Sequence, residues 1–508
     1  MSKINNDFYW PISLKEFLNL GEEFNRGFFN LVNSSDYETK NVLLCIYGPL
    51  YNEFTAVTKN LLIINSRQKV SYCNLIHNEK SRIFNNLLKK QFYFPSIVNT
   101  LCGGLKESFI KNNLRKIKSS VLNKFPRGCS LTSINLENDI VCIHTGDLIS
   151  KHSKISNEKI YFVPLIEWFR PIKDNFFYLN QRKILENVDE VLNLMIKTLK
   201  KFSVEHSIAL DYLQIFINKL LLNTNKYIGD IIEKKKFVKK LWTGSGGAVT
   251  TRILRLTTLI NKGYVVGHDH SHGQGMFKNK INSLLELPFL SEFVTRTESH
   301  KKSLLSEMRK TFINYKNIKI RLMDDGKKIK IRKIQKKQRK TVLLVSTPYN
   351  IDTSFLDPLP FPSLMLDWEL RLFKYLEKKG FTPVYKPHPE SKINTEQLFI
   401  KNGYHVSNKR FEEIFSDFSL LIFGSPNQTS FFNSLKTDIP ILIIDLGFKK
   451  WHPQALKSLK KRVGYIKTKF NQNNKVILDW KGLKRELNKS EDLKDNEFAK
   501  TFFYPSLI

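Results

Sequence analysis

From Thr341 to Asp445 short apolar runs alternate with helical stretches, and this alternation constrains the fold more than any other feature of the chain. Thr341 to Ser346, Thr382 to Lys386, Leu420 to Phe423 and Pro440 to Asp445 read as strands. Ser363 to Lys379, closed by Gly380, reads as a helix between the first two; Glu396 to Asn402, Arg410 to Phe415 and Gln428 to Leu435 read as shorter helices. A strand that is apolar without interruption has no face for water. Such strands belong in a parallel sheet covered on both sides by helices.

The preceding half is less regular. Ile12 to Val32 has the spacing of one or two amphipathic helices. Val42 to Tyr47 reads as a strand ending at Gly48-Pro49, and residues 51–135 are weakly helical. Asp139 to His144 reads as a buried strand, and 181–235 as two long helices split near Phe202-Ser203. A glycine loop follows (Gly244, Gly246, Gly247), with no strand evident before it and a helix after it carrying Val249, Ile253, Leu256 and Ile260. Tyr264 to Gly267 then opens into His268-Asp269-His270-Ser271-His272-Gly273. Residues 316–340 hold twelve Lys or Arg and two acidic residues around the turn Asp324-Asp325-Gly326, and mark a domain boundary. A chain of 508 residues exceeds one ordinary core. The expectation is an α/β chain of two Rossmann-like domains facing across a cleft, the N-terminal half carrying extra helices. Its parts are a helical segment 1–40, a first domain 41–310, a basic connection 311–340, a second domain 341–480 and a tail 481–508.

The formal net charge is +35, from 82 basic and 47 acidic residues. A field of that sign attracts polyanions: nucleic acid, an anionic bilayer face or phosphorylated substrates. The 316–340 stretch lacks the interleaved aromatics on which single-stranded nucleic acid would stack, which argues against that partner. Five cysteines without a CxxC pair point to a reducing compartment. No apolar run reaches the ~18 residues a spanning helix needs, and Asp7, Lys15, Glu16, Glu22 and Glu23 interrupt any leader core. The expected location is cytoplasmic, at the inner face of the cell membrane.

Two clusters carry the chemistry. Lys386-Pro387-His388-Pro389-Glu390 stands at the carboxyl end of a parallel strand, where open α/β sheets bind ligands. The prolines restrict the backbone on either side of His388. There Lys386, His388 and Glu390 would meet a phosphate and its leaving group, His388 by donating to a phosphate oxygen. Ser425, Thr429 and Ser430 surround the start of the next helix, where hydroxyls and amides suit a nucleotide phosphate or an ordinary cap. The start after Gly244, Gly246 and Gly247 is a second anion candidate. For the histidine loop three readings stand together. His268, His270 and His272 alternate and would share one face as metal ligands; Asp269, His270 or His272 would take a proton from an acceptor hydroxyl; or the loop is a structural turn. No second ligand cluster is evident, so no metal and no cofactor are expected.

The strand-terminal Lys386-Pro387-His388-Pro389, with Gly424-Ser425-Pro426 and Thr429-Ser430 before a helix, resembles the GT-B glycosyltransferases of bacterial surface-polysaccharide synthesis. The nearest groups carry an "HP" motif: transferases using CMP-activated 3-deoxy-manno-octulosonic or sialic acid, and CDP-glycerol-type polyol-phosphate transferases. The resemblance covers about 341–447. It implies that His388 contacts the donor phosphate and that Ser425, Thr429 and Ser430 help hold the nucleotide. The implied partners are a nucleotide-sugar donor, a glycan or lipid-linked acceptor and an anionic membrane surface. A nucleic-acid-binding protein and a metal-dependent hydrolase remain the competing classes.

Overall fold

The computed structural model describes residues 12–65, 87, 135, 139–144, 146–156, 158–169, 176–234, 237–244, 246–269, 275–278, 280–309, 313, 317–323, 329–334, 340–349, 362–389, 391, 394–426, 428–471 and 475–507. Most of the weakly helical 51–135 stretch lies outside them.

In the first domain α1 (Leu14–Ser34) and α2 (Tyr37–Asn65) form a helical hairpin. Ser13 starts α1 with a reciprocal cap: its hydroxyl accepts the Glu16 N–H at 3.2 Å, and the Glu16 carboxylate accepts the Ser13 N–H at 2.6 Å. Then come β1 (Ile140–Cys142), α3 (Asp147–Ser156), β2 (Ile160–Phe162), α4 (Gln181–Lys201) and α5 (Leu210–Glu233). The domain continues through β3 (Lys240–Thr243), α6 (Val249–Ile260), β4 (Tyr264–His268), α7 (Lys280–Glu286), β5 (Glu292–Thr295), α8 (Glu298–Met308) and β6 (Lys319–Leu322). The six strands lie in the order β2-β1-β3-β4-β5-β6, all parallel.

Two local expectations are corrected here. Val42 to Tyr47 is not a strand but lies in the first half of α2, with every residue of the run buried. Helices α1, α4, α5 and α6 all pack against α2. A helix enclosed on every side is apolar all round, so the periodicity that would distinguish it from a buried strand is erased. The glycine loop does follow a strand: β3 pairs with β1 on one side and β4 on the other. In addition, β6 extends the first sheet through Leu322, beyond the expected limit at 310, and pairs with β5.

The second domain contains β7 (Thr341–Val345), α9 (Pro362–Lys378), β8 (Thr382–Lys386), α10 (Glu396–Lys401), β9 (His405–Val406) and β10 (Leu420–Phe423). It closes with α11 (Thr429–Ser434), β11 (Ile441–Asp445), α12 (Pro453–Leu459), β12 (Gly464–Lys467), α13 (Trp480–Lys489) and α14 (Glu497–Phe502). The order β12-β11-β10-β7-β8-β9 is parallel throughout. Numbered from β7, that is the 3-2-1-4-5-6 order of dinucleotide-binding sheets. Leu343, Val345, Leu421 and Phe423 enter one core, and Val342, Leu344, Leu420 and Ile422 the other, as uninterrupted apolar strands require. The region expected as a tail holds Phe498 and Phe502 of α14 in the first of these cores and Leu483 and Leu487 of α13 in the second.

The two Rossmann-like domains meet through a short antiparallel bridge between Phe277 and Trp451. Lys278 N–H donates to the Lys450 carbonyl at 2.7 Å, and His452 N–H to the Met276 carbonyl at 3.0 Å. Beside it Ser303 Oγ and His452 Nε2 lie 3.2 Å apart.

Gly48 is where the hairpin meets the first sheet's loops: a Cβ there would fall 2.5 Å from the Gly247 carbonyl oxygen. Neither backbone can yield easily. Gly48→Ala is expected to destabilise the protein by about 1–3 kcal/mol, read as a lowered midpoint in thermal unfolding. An unchanged midpoint would contradict the close approach of α2 to the Gly247 loop.

Candidate active site

Each sheet reverses its strand order once, and the carboxyl-end crevice at such a point is where open α/β sheets take ligands. In the first sheet the reversal falls at β1, flanked by β2 and β3. His144 leaves β1 there and accepts the Gly244 N–H on Nδ1 at 3.2 Å, a geometry that leaves the proton on Nε2. His268, the last residue of β4, is buried beside Gly146 and Gly244. It is therefore part of the sheet's packed end, not of an exposed row. His270 and His272 lie outside the described residues, and so does Glu390. Among the described residues no group of three or more His, Cys, Asp or Glu is arranged to hold a metal ion.

Asp269 is buried just beyond β4, where its N–H donates to the Val294 carbonyl at 2.9 Å. Its Oδ2 lies 3.0 Å from Nδ1 of His300, also buried. With Nδ1–H donating to the carboxylate, the imidazole fixes Asp269 in place and its own Nε2 becomes an acceptor. Sequence reasoning missed His300. Its role depends on the first turn of α8, capped by Thr297, folding back onto the end of β4, and no local pattern signals that. Arg296, between β5 and α8, was also missed. Its side chain is buried, and Nε and Nη1 meet no hydrogen-bond partner among the described residues, which leaves a cation at the same sheet edge able to receive an anion.

The glycine loop is more occupied than its sequence suggested. Gly246 N–H donates to the Glu286 carboxylate at 2.8 Å, and its carbonyl accepts from Arg252 Nε at 2.6 Å. Gly247 faces Gly48 across the hairpin contact. Only Gly244 of the three lies against the histidines.

In the second sheet the reversal falls at β7, between β8 and β10. The ends of β8 and β10 are two strand spacings apart, about 10 Å. Lys386 ends β8 with its side chain buried and its ammonium donating to the Pro387 carbonyl at 3.1 Å; burial pulls its pKa below the usual lysine value. His388 follows, half-buried. Ser425 follows β10; Thr429 is exposed and Ser430 half-buried at the start of α11. These expected residues thus share one sheet edge on either side of β7.

Between them lies a polar group that sequence reasoning did not single out. Ser346, directly after β7, donates its hydroxyl to Glu369 Oε1 at 2.9 Å, and Gln428 Nε2 donates to the Ser346 carbonyl at 3.4 Å. Glu369 is fully buried on α9, and burial pushes its pKa up to about 8 against the opposing hydrogen bonds from Tyr349 and Ser346. Thr347 Oγ1 and Gln428 Oε1 are buried there with no hydrogen-bond partner among the described residues. The exit of β7 is therefore polar, enclosed and mostly uncharged at neutral pH.

No family model matches the chain, and no curated protein sequence does. Among solved structures, the UDP-GlcNAc 2-epimerase of Methanocaldococcus jannaschii in complex with UDP-GlcNAc and UDP is similar over 72% of this chain and 97% of that one, at 10% identity and a TM-score of 0.38. The GtfA/B complex is similar over 52% and 54%, at 8% identity and a TM-score of 0.34. Likeness of that degree carries no argument about activity. The fold assignment rests on the chain's own strand orders.

The raised Glu369 pKa has a consequence for stability. A carboxyl with a folded pKa of about 8 and an ordinary value of 4.5 binds its proton more tightly in the native state. Its favourable contribution is complete at low pH and is lost as pH rises from about 4.5 to 8. Glu369→Gln keeps an acceptor for Ser346 and removes the titration. Its thermal midpoint should fall less steeply than wild type between about pH 5 and 8; parallel profiles would show that Glu369 is ionised in the folded protein.

Proposed function

We propose that this chain is a glycosyltransferase that moves a sugar from a nucleotide-activated donor, in the first place a CMP-sugar, to a surface-polysaccharide or lipid-linked glycan acceptor. One observation carries the reading. In a sheet of dinucleotide-binding order, Lys386, His388 and Ser425 stand on the strand ends that flank its reversal point.

The donor phosphate would lie against Lys386 and His388, with Ser425, Thr429 and Ser430 holding the nucleotide from the far side of β7. As the bond from sugar to phosphate breaks, negative charge grows on the departing nucleotide. A Lys386 ammonium and a donating His388 ring stabilise that charge more than the ground state, and this difference lowers the barrier. The uncharged polar exit of β7 suits the nucleotide's neutral hydrogen-bonding groups and adds no repulsion to its phosphate.

On the facing domain, Asp269 would act as the base that takes the acceptor hydroxyl proton. Its hydrogen bond to His300 restricts its orientation, and burial keeps it from bulk water. Arg296 would neutralise an anionic group of the acceptor or donor nearby. Gly244, His270 and His272 remain candidates for the same wall. The positive net charge favours work at an anionic membrane face.

Binding is tested by a thermal-shift and calorimetric screen with CMP, CDP, UDP and GDP. CMP should stabilise the wild type, and His388→Ala should weaken it by about tenfold or more, the worth of one charge-assisted contact of 1.5–3 kcal/mol. No stabilisation by any nucleotide would overturn the donor-site assignment, and a preference for CDP would favour polyol-phosphate transfer. In a coupled transfer assay Asp269→Asn should reduce kcat by about 10²–10⁴ with CMP affinity unchanged. An Asp269→Asn enzyme of wild-type rate would remove this residue from the chemistry.

A further inference from the structure

A cavity of about 680 Å³ opens between the α1–α2 hairpin and the second domain, at the exits of β11 and β12 and away from the β7 crevice. Its size falls within the range of small-molecule sites. Six lysines line it: Lys15 from the hairpin, Lys278 from the domain junction, and Lys449, Lys450, Lys460 and Lys467 from the second domain. Two carboxylates, Glu22 and Asp445, share the lining.

Asp445 is committed to the walls. Its Oδ1 accepts the Gly447 N–H at 2.8 Å, and its Oδ2 accepts Trp451 Nε1 at 3.0 Å and the Tyr465 hydroxyl. These bonds hold two aromatic side chains in the lining, with Tyr51 of α2 opposite. Lys460 lies over the Tyr465 ring at 4.9 Å, so that wall keeps an ammonium group close to it. Like charges gathered from two domains into one recess repel, and an anionic occupant relieves that repulsion. The aromatic side chains Tyr51, Phe448, Trp451 and Tyr465 line the same recess. A ligand that satisfies both is a chain of sugar rings bearing phosphate or carboxylate groups.

We infer that this cavity binds an acidic sugar chain, as the acceptor-holding site of the transferase; the acceptor role rests on the function proposed above, and the anion-binding site does not. The hairpin is essential to it, because one wall belongs to α1 and α2. An acceptor held there spans both domains and leaves the β7 crevice to the nucleotide.

The test measures binding of sucrose octasulfate, with sucrose as neutral control, by titration calorimetry. Wild type should bind the sulfated sugar and not sucrose. Lys450→Ser/Lys467→Ser should bind at least tenfold more weakly, while Lys378→Ser/Lys401→Ser, which removes the same charge from exposed helix ends of the second domain, should stay within twofold. CMP affinity should be the same in all three proteins. Equal losses in both variants, or no loss in the first, would overturn the site in favour of diffuse attraction to a basic surface. Loss of binding to phosphatidylglycerol vesicles in the first variant, with the sulfated sugar still bound, would overturn the sugar in favour of a lipid headgroup. Absence of CMP binding with the sugar result intact would remove the donor assignment and leave the anion site standing.

Discussion

The guanidinium of Arg252 holds the first domain's functional edge together. It is fully buried on α6 and donates to the Gly246 carbonyl, to the Leu44 carbonyl inside α2, and to the Leu284 and Leu285 carbonyls at 3.0 Å each. A buried cation is tolerated only when its N–H groups find acceptors. Here the acceptors belong to three separate segments, so hairpin, glycine loop and α7 are fixed relative to α6 by one residue. Arg255, one turn on, donates to Thr243 Oγ1 at 2.9 Å and to the Glu286 carbonyl at 2.7 Å, and burial lowers its pKa to about 9. The glycine loop is consequently a packed joint. Its glycines serve the approach of other backbone, and His144 and Asp269 follow the strand ends beside it.

The second domain is built on a different balance. Its strands are buried on both faces, and its polar atoms gather where β7, α9 and the turn after β10 converge. A charged carboxylate at Glu369 would cost several kcal/mol in such surroundings. The protonated form avoids that cost and keeps the hydrogen bond from Ser346. Charge in this domain is thus displaced from the centre of the sheet edge to its flanks, with Lys386 on β8 on one side and Lys467 on β12 on the other.

Legibility from sequence followed the same division. In the second domain each strand is a short apolar run between turn residues, so β7, β8, β10 and β11 were found within a residue or two, and Lys386, His388 and Ser425 were assigned to strand ends on that basis. In the first domain β1 lies within the buried strand read from Asp139 to His144, but β3 has four residues, too few for a period to show. The run Val42 to Tyr47 misled because total burial makes helix and strand alike in composition. Asp269 was legible as a titratable residue in a glycine-rich stretch. His300, Arg296 and Glu369 were not, since each gains its meaning from a neighbour brought in by tertiary folding. His300 meets Asp269 across 31 residues, and Glu369 meets Ser346 across 23.

The domain junction links these edges mechanically. Gly275, at φ +86°, lies so close to His300 that a Cβ there would fall 2.8 Å from the His300 Cα. Three residues later Lys278 is hydrogen-bonded to the second domain, and His452 of that domain reaches back to Met276 and Ser303. The segment from Gly275 to Lys278 thus packs against His300, the partner of Asp269, at one end and is hydrogen-bonded at the other to Lys450 in the lining of the lysine-rich cavity. A rotation of the second domain would act on the Asp269–His300 pair through a segment of only four residues, packed against His300 at one end and hydrogen-bonded to the second domain at the other.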